Sequence, residues 1–191
     1  MSVQAHAALF IVVEETGSDV QATLSGDLDV TGMTLAFAGA GATMGNVMAS
    51  AGNIRFGVTS SVDIYSFPVS NISGGVTNFG TGPFISATSS PDPNFGIMLG
   101  AQPTPQLFVP TGFTSGGALN ATMIFSNQTL ASLGIAAGTI NVTLPNDSIV
   151  LQLGTAVVSE PTTLAMLALG TTAVLAHRRR KRRGSELAPG A

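Results

Sequence analysis

The chain has 191 residues, 45% hydrophobic and only 9% charged, with neither Cys nor Trp; this excludes a disulfide scaffold, a thiolate nucleophile and Cys-bound metal. The net charge of −3 conceals a split: residues 1–160 carry one basic residue, Arg55, against nine acids (1 − 9 = −8), while six cations form one run at 178–183. So acidic a body cannot neutralise phosphates, which excludes a nucleic-acid partner, and the asymmetry points to a membrane-related tail.

In chain order, Ala5-His6-Ala7 is an A-x-A pattern followed at once by an apolar run. It predicts that residues 1–7 are the end of a signal peptide whose start lies upstream of Met1. Residues 8–156 then read as a domain of short extended runs separated by Gly, Asn, Ser and Pro. Ala8–Glu15 is the first strand, and Gly17-Ser18 is a hairpin signal. Asp19–Val30 alternates with period two, placing Val20, Ala22, Leu24, Gly26, Leu28 and Val30 on one face, the pattern of a half-buried antiparallel strand. Further strands are expected at Asn53–Thr59, Val62–Phe67, Phe84–Ala87, Gly96–Leu99, Gln106–Val109, Leu119–Ser126, Thr139–Leu144 and Ser148–Leu153. Gly39–Gly52, rich in Ala and Gly, reads as loop or loose helix. One helical turn is expected at Thr129–Leu133, ended by Gly134. Turn signals about every ten residues indicate an all-β fold, an antiparallel β-sandwich or jelly-roll-like domain.

The chemistry such a body can perform is limited. The two histidines, His6 and His177, fall outside it, so the commonest general base and metal ligand is missing. Glu14 and Glu15 are adjacent in a strand and point to opposite faces. Asp27 and Asp29 share a face, which reads as solvated rather than as a Ca²⁺ or acid–base pair. Gly39-Ala40-Gly41-Ala42-Thr43-Met44-Gly45 lacks the βαβ context and the later acid of a dinucleotide site. The five N-x-S/T sites, at Asn71, Asn120, Asn127, Asn141 and Asn146, record an Asn/Thr-rich surface. That polarity suits contact with sugar hydroxyls, with Tyr65 or an exposed Phe as stacking aromatic. No catalytic residue, metal or cofactor is predicted, and the body reads as non-enzymatic.

The tail has three parts: Ser159-Glu160-Pro161, the uncharged stretch Thr162–Ala176, and the cluster Arg178, Arg179, Arg180, Lys181, Arg182 and Arg183. As a helix the middle part would span about 22 Å at 1.5 Å per residue, short of the ~30 Å hydrocarbon core. The cations would stay cytoplasmic and leave the acidic body outside. A packed helix and a simple tail anchor are the other readings of this segment.

The order of these parts closely resembles the PEP-CTERM sorting signal of Gram-negative bacteria. Glu160 and Pro161 match its motif, and Ser159 stands where that family usually has a first proline. Residues 107–153 are also similar to the module that precedes this signal in many family members, through Asn127, Ala131-Ser132-Leu133-Gly134 and Gly138-Thr139. The resemblance implies a sorting signal over 157–183 with a transmembrane helix at 162–176, followed by a disordered remnant at 184–191. It further implies processing by an exosortase-type membrane protease, transient residence in the inner membrane, and delivery to the cell surface or extracellular matrix, where exopolysaccharide is the expected associate. Two alternatives are a lectin- or adhesin-like carbohydrate-binding surface module and a plain tail-anchored membrane protein.

Overall fold

Fourteen strands follow one another in the computed structural model, which describes residues 8–101 and 103–154. They belong to the first of two compact units, Met1–Ala156; the second, Val157–Ala191, lies outside the described residues. In chain order the strands are β1 (Leu9–Thr16), β2 (Asp19–Ser25), β3 (Asp27–Leu28), β4 (Thr34–Ala42), β5 (Asn46–Met48), β6 (Asn53–Phe56) and β7 (Ser60–Ser66). Then come β8 (Phe84–Ser86), β9 (Phe95–Met98), β10 (Gln106–Pro110), β11 (Gly117–Ala118), β12 (Ala121–Phe125), β13 (Gly138–Thr143) and β14 (Ser148–Leu153). A five-stranded sheet has the order β12-β2-β1-β14-β13, and a seven-stranded sheet the order β4-β7-β10-β9-β6-β5-β8. The short strands β3 and β11 pair separately.

Period-two alternation explains how the two sheets meet. Leu9, Ile11 and Val13 of β1, Val20, Ala22 and Leu24 of β2, and Ile149, Leu151 and Leu153 of β14 face inward. They join Ile54, Phe56, Phe95, Ile97, Leu107 and Val109 of the larger sheet in one continuous core. The result is an all-β, sandwich-like body, as the strand spacing predicts. Phe56, Phe95 and Phe125 are among its largest fully buried side chains; each removes ~1.5–3 kcal/mol worth of apolar surface from water.

Three local readings are corrected. Asp19–Val30 is not one strand: it breaks at Gly26, whose φ of +126° suits only glycine and whose missing Cβ would lie 2.7 Å from the Ala8 carbonyl oxygen. Leu28 and Val30 still reach the core, so the alternation runs on across the break. The segment Gly39–Gly52 is neither loop nor loose helix. It contains the end of β4, all of β5 and a single 3₁₀ turn at Ala49–Ala51 closed by Gly52. Finally, the named strand pairs are antiparallel with one exception: β1 and β14 run parallel, from Leu9 opposite Ile149 to Val13 opposite Leu153.

The expected turn at Thr129 is present and closed at both ends. The Thr129 hydroxyl accepts the Ser132 N–H at 3.0 Å while the Ser132 hydroxyl accepts the Thr129 N–H at 2.9 Å, a reciprocal cap. At the other end Gly134 N–H donates to Ala131 and Ile135 N–H to Leu130, the Schellman pairing that a left-handed glycine permits. Gly134 has φ +62°. It also lies against the glycine-containing segment before β8, where a Cβ would come within 2.3 Å of the Gly82 nitrogen.

Candidate functional site

The sorting-motif residues Ser159, Glu160 and Pro161 and the cluster Arg178–Arg183 lie outside the described residues, as do residues 1–7 and the segment 162–176. Among the described residues no helix is long and apolar enough to cross a membrane. The surfaces that the body itself offers are the two outer sheet faces, a group of carboxylates and a shallow depression.

The outer face of the five-stranded sheet is built by the residues that alternate with the core. Ladder register aligns Thr122, Thr23, Val12, Gln152 and Thr139 in one row across all five strands. A second row runs Ser25, Phe10, Val150 and Asn141, and Ile124, Gln21 and Glu14 form a third. Neighbouring strands lie ~4.8 Å apart, so hydroxyls and amides repeat at that interval on a pleated surface. Phe10 is 43% exposed near the middle, and Glu14 is the only ionisable side chain in these rows. Composition alone does not single out Phe10, because it sits inside the apolar run of β1; its register beside Ser25 and Val150 is what exposes it. Tyr65, the other aromatic suggested by the sequence, is half-buried and packs on the core.

On the outer face of the seven-stranded sheet lies Arg55, the single cation of the body. Its stem crosses Gly96, where a Cβ would sit 2.6 Å from the Arg55 Cγ. Its guanidinium lies 4.0 Å from the centre of the Phe108 ring. One nitrogen donates to the Thr43 carbonyl at 3.2 Å and the other approaches the Met98 sulfur at 3.6 Å. Burial pushes its pKa below the usual arginine value, and no charged neighbour contributes. Ala42, Met44, Val62, Ile64 and Phe108 form a small second core around it, with Met44 brought there by the link from β4 to β5. Asn46 and Asn53 are buried in the same face and bond to each other at 2.7 Å. Arg55 therefore packs and ties down the Thr43 carbonyl.

Five carboxylates, Glu15, Asp19, Asp29, Asp63 and Asp147, accept backbone N–H groups. Asp63 accepts the Gly39 N–H at 2.9 Å with one oxygen and the Gly112 N–H at 3.0 Å with the other. Glu15 accepts the Leu130 N–H, Asp19 the Asn127 N–H, and Asp147 the N–H groups of Asp29 and Ser148. Asp29 accepts from Thr31 N–H and from the Ser115 hydroxyl. Asp27 lies in β3 and Asp29 directly beyond it, both half-buried and alternating with buried Leu28 and Val30. No group of three or more His, Asp or Glu able to hold a metal occurs among the described residues. The Ser60 hydroxyl accepts from the Asn94 amide, and the Ser90 hydroxyl accepts the Gly57 N–H; both serines thus make structural contacts. The depression beside β13, about 300 Å³, is lined by Val76, Phe79, Gly80, Ala137, Thr139 and Leu153 among others, none of them titratable.

No protein-family model, curated protein or solved structure matches the chain.

Proposed function

We propose that the chain is an exported, non-enzymatic protein of the bacterial cell surface or extracellular matrix, addressed by a C-terminal signal of the PEP-CTERM type. One observation carries the reading: the fixed order of Ser159-Glu160-Pro161, an uncharged segment at 162–176 and six cations at 178–183, behind a body of opposite charge. Glu160-Pro161 serves as the recognition element for an exosortase-type protease. Thr162–Ala176 is a transient inner-membrane helix, and Arg178–Arg183 are its cytoplasmic stop. The all-β body, with its acids turned to loop contacts, is consistent with a protein whose role is structural. Intact mass spectrometry of the exported protein, from cells with and without the processing protease, tests this. A product shortened near residue 161 only when the protease is present is expected; an intact tail in both strains reduces the tail to a plain anchor.

A second reading, a carbohydrate-contacting surface module, is favoured by the rows of Thr, Gln, Asn and Ser around Phe10. Hydroxyls and amides supply exchangeable hydrogen bonds and an exposed ring supplies a stacking surface. Because the face carries a carboxylate and no cation, the glycan it suits is uncharged. Retention on a neutral exopolysaccharide that falls several-fold in Phe10→Ala is the expected result; equal retention of both proteins refutes it.

A further inference from the structure

A half-buried charge without a counter-charge costs stability, and a buried donor without an acceptor adds to the cost. Arg55 has both features. It is the single cation among nine acids in residues 1–160, yet among the described residues no carboxylate pairs with it, and burial alone lowers its pKa. A guanidinium has five N–H donors. Here one reaches the Thr43 carbonyl and one the Met98 sulfur, a weak acceptor. The Nε–H is buried with no partner. The fold therefore answers the hydrogen bonds of this group in part and leaves its charge unmatched.

The surface around it is neutral and partly apolar. Ladder register sets Phe37, Ile64, Phe108, Gly96 and Arg55 in one row across five strands. The neighbouring row runs Ser66, Gln106, Met98 and Asn53. Arg55 is the one charged side chain in either. Because Gly96 has no side chain, the Arg55 stem crosses it and brings the guanidinium 4.0 Å from the centre of the Phe108 ring. Beyond Phe108 the row continues over buried Ile64 to Phe37, which is 59% exposed. Two strand spacings of ~4.8 Å place Phe37 about 10 Å from Phe108.

We infer that this row binds a monocarboxylate with an apolar body, the carboxylate on the guanidinium of Arg55 and the apolar part against Phe37. Charge complementarity selects that ligand. The planar fork of arginine matches the two oxygens of a carboxylate, and the Phe108 face beneath it helps hold the fork in place. A body of −8 (1 − 9) opposes every anion in proportion to the anion's charge, so a single negative charge meets the least resistance. Polyanions are disfavoured on the same ground, and an uncharged apolar ligand would leave the guanidinium unmatched. The row lies on the opposite sheet from Phe10, and the inference does not depend on the address in the tail.

Isothermal titration calorimetry of the full chain in mild detergent tests this, with octanoate and its uncharged counterpart octanamide as probes. Blank titrations into detergent alone remove the heat of uptake by micelles, and a urea midpoint establishes that each variant is folded. Octanoate should bind the wild type in the millimolar range. Octanamide, or octanoate with Arg55→Met, should bind about tenfold more weakly or worse, the contribution of hydrogen bonds to a charged group. Arg55→Lys keeps the charge without the fork and should fall between. Phe37→Ser should weaken octanoate several-fold, while Phe10→Ser, on the other sheet, should change nothing. Absence of octanoate binding to the wild type overturns the inference. So does equal affinity for octanoate and octanamide, equal affinity of wild type and Arg55→Met, or a Phe37→Ser variant that binds octanoate as the wild type does.

Discussion

Where Gly80–Gly82 crosses Leu133–Gly134 the glycines leave the least room for a Cβ, 1.8 Å from the Gly134 and Leu133 carbonyl oxygens, and Gly134→Ala tests this crossing. Two penalties combine there. Placing alanine at φ +62° costs about 1–2 kcal/mol. The added Cβ would also lie 2.3 Å from the Gly82 nitrogen and 2.4 Å from its Cα, and neither side can yield freely. The Gly82 carbonyl accepts the Ser50 N–H at 3.0 Å, the Gly134 carbonyl accepts the Thr81 N–H at 2.9 Å, and Ala136 N–H donates to Phe79 at 2.9 Å. Forcing such a contact costs about 1–3 kcal/mol in overpacking, giving with the first penalty a total of about 2–5 kcal/mol. Gly112→Ala is the matched control: its φ is +76° but a Cβ there meets nothing within 4 Å, so only the first penalty applies. Alanine lowers unfolded-state entropy equally at both sites, and that contribution cancels in the difference. With a urea m-value of about 2 kcal/mol per molar, Gly134→Ala should move the midpoint down by about 2 M and Gly112→Ala by 1 M or less. Equal midpoints for the two variants would mean that the crossing is not tight and that φ alone sets the cost.

Three further outcomes follow from the packing. Phe56→Ala, at a fully buried site between the sheets, should cost about 3–5 kcal/mol, read as a lower urea midpoint at unchanged slope. Thr129→Ala removes one half of the reciprocal cap and should cost about 1 kcal/mol, with Thr129→Ser recovering most of it. Arg55→Met keeps an apolar stem over Gly96 and Phe108 and removes a partly desolvated charge with only one carbonyl partner. Its stability should stay within about 1 kcal/mol of wild type; a loss above 2 kcal/mol would show that the bond to Thr43 carries more than the geometry implies.

Much of the body was legible because its strands obey one simple rule. The predicted Ser148–Leu153 is β14 to the residue, and the alternation of β2 named Val20, Ala22 and Leu24 as core. The errors share a cause: alternation reports burial, not pairing. It ran unbroken through Gly26 because Leu28, from the separate β3–β11 pair, and Val30, just beyond it, enter the same core. It could not reveal that β1 and β14 run parallel, since both strands alternate in the same way. β4 escaped because it pairs with β7 alone among the described residues and alternates no buried face with an exposed one, and Ala-Gly repeats read as loop. The outer-face rows around Phe10 depend on register across five strands, which no local pattern encodes. The tail is the reverse case: its order is plain in the sequence and lies outside the described residues.

The acidity of the body has a structural cause, and Asp63 shows how to measure it. A fold with this many glycine turns leaves many loop N–H groups without ladder partners, and buried or half-buried N–H groups need acceptors. A carboxylate supplies two oxygens where a hydroxyl supplies one, and it needs no cation if backbone dipoles answer its charge. Asp63 holds the β4 bulge through Gly39 and the turn after β10 through Gly112. Hydrogen bonds to charged groups contribute ~1.5–3 kcal/mol when protected and less at exposed loops such as these, so Asp63→Ala should cost about 1–2 kcal/mol. Asp92→Ala, at an exposed position in the Pro91–Pro93 loop, removes the same charge and should stay within about 0.5 kcal/mol. Repeating both melts in 1 M salt separates the causes: long-range repulsion among the acids would be screened, whereas the loss in Asp63→Ala should persist. If the two variants instead behaved alike, and both became more stable than wild type, the acids would be acting as mutually repelling charges and not as loop anchors.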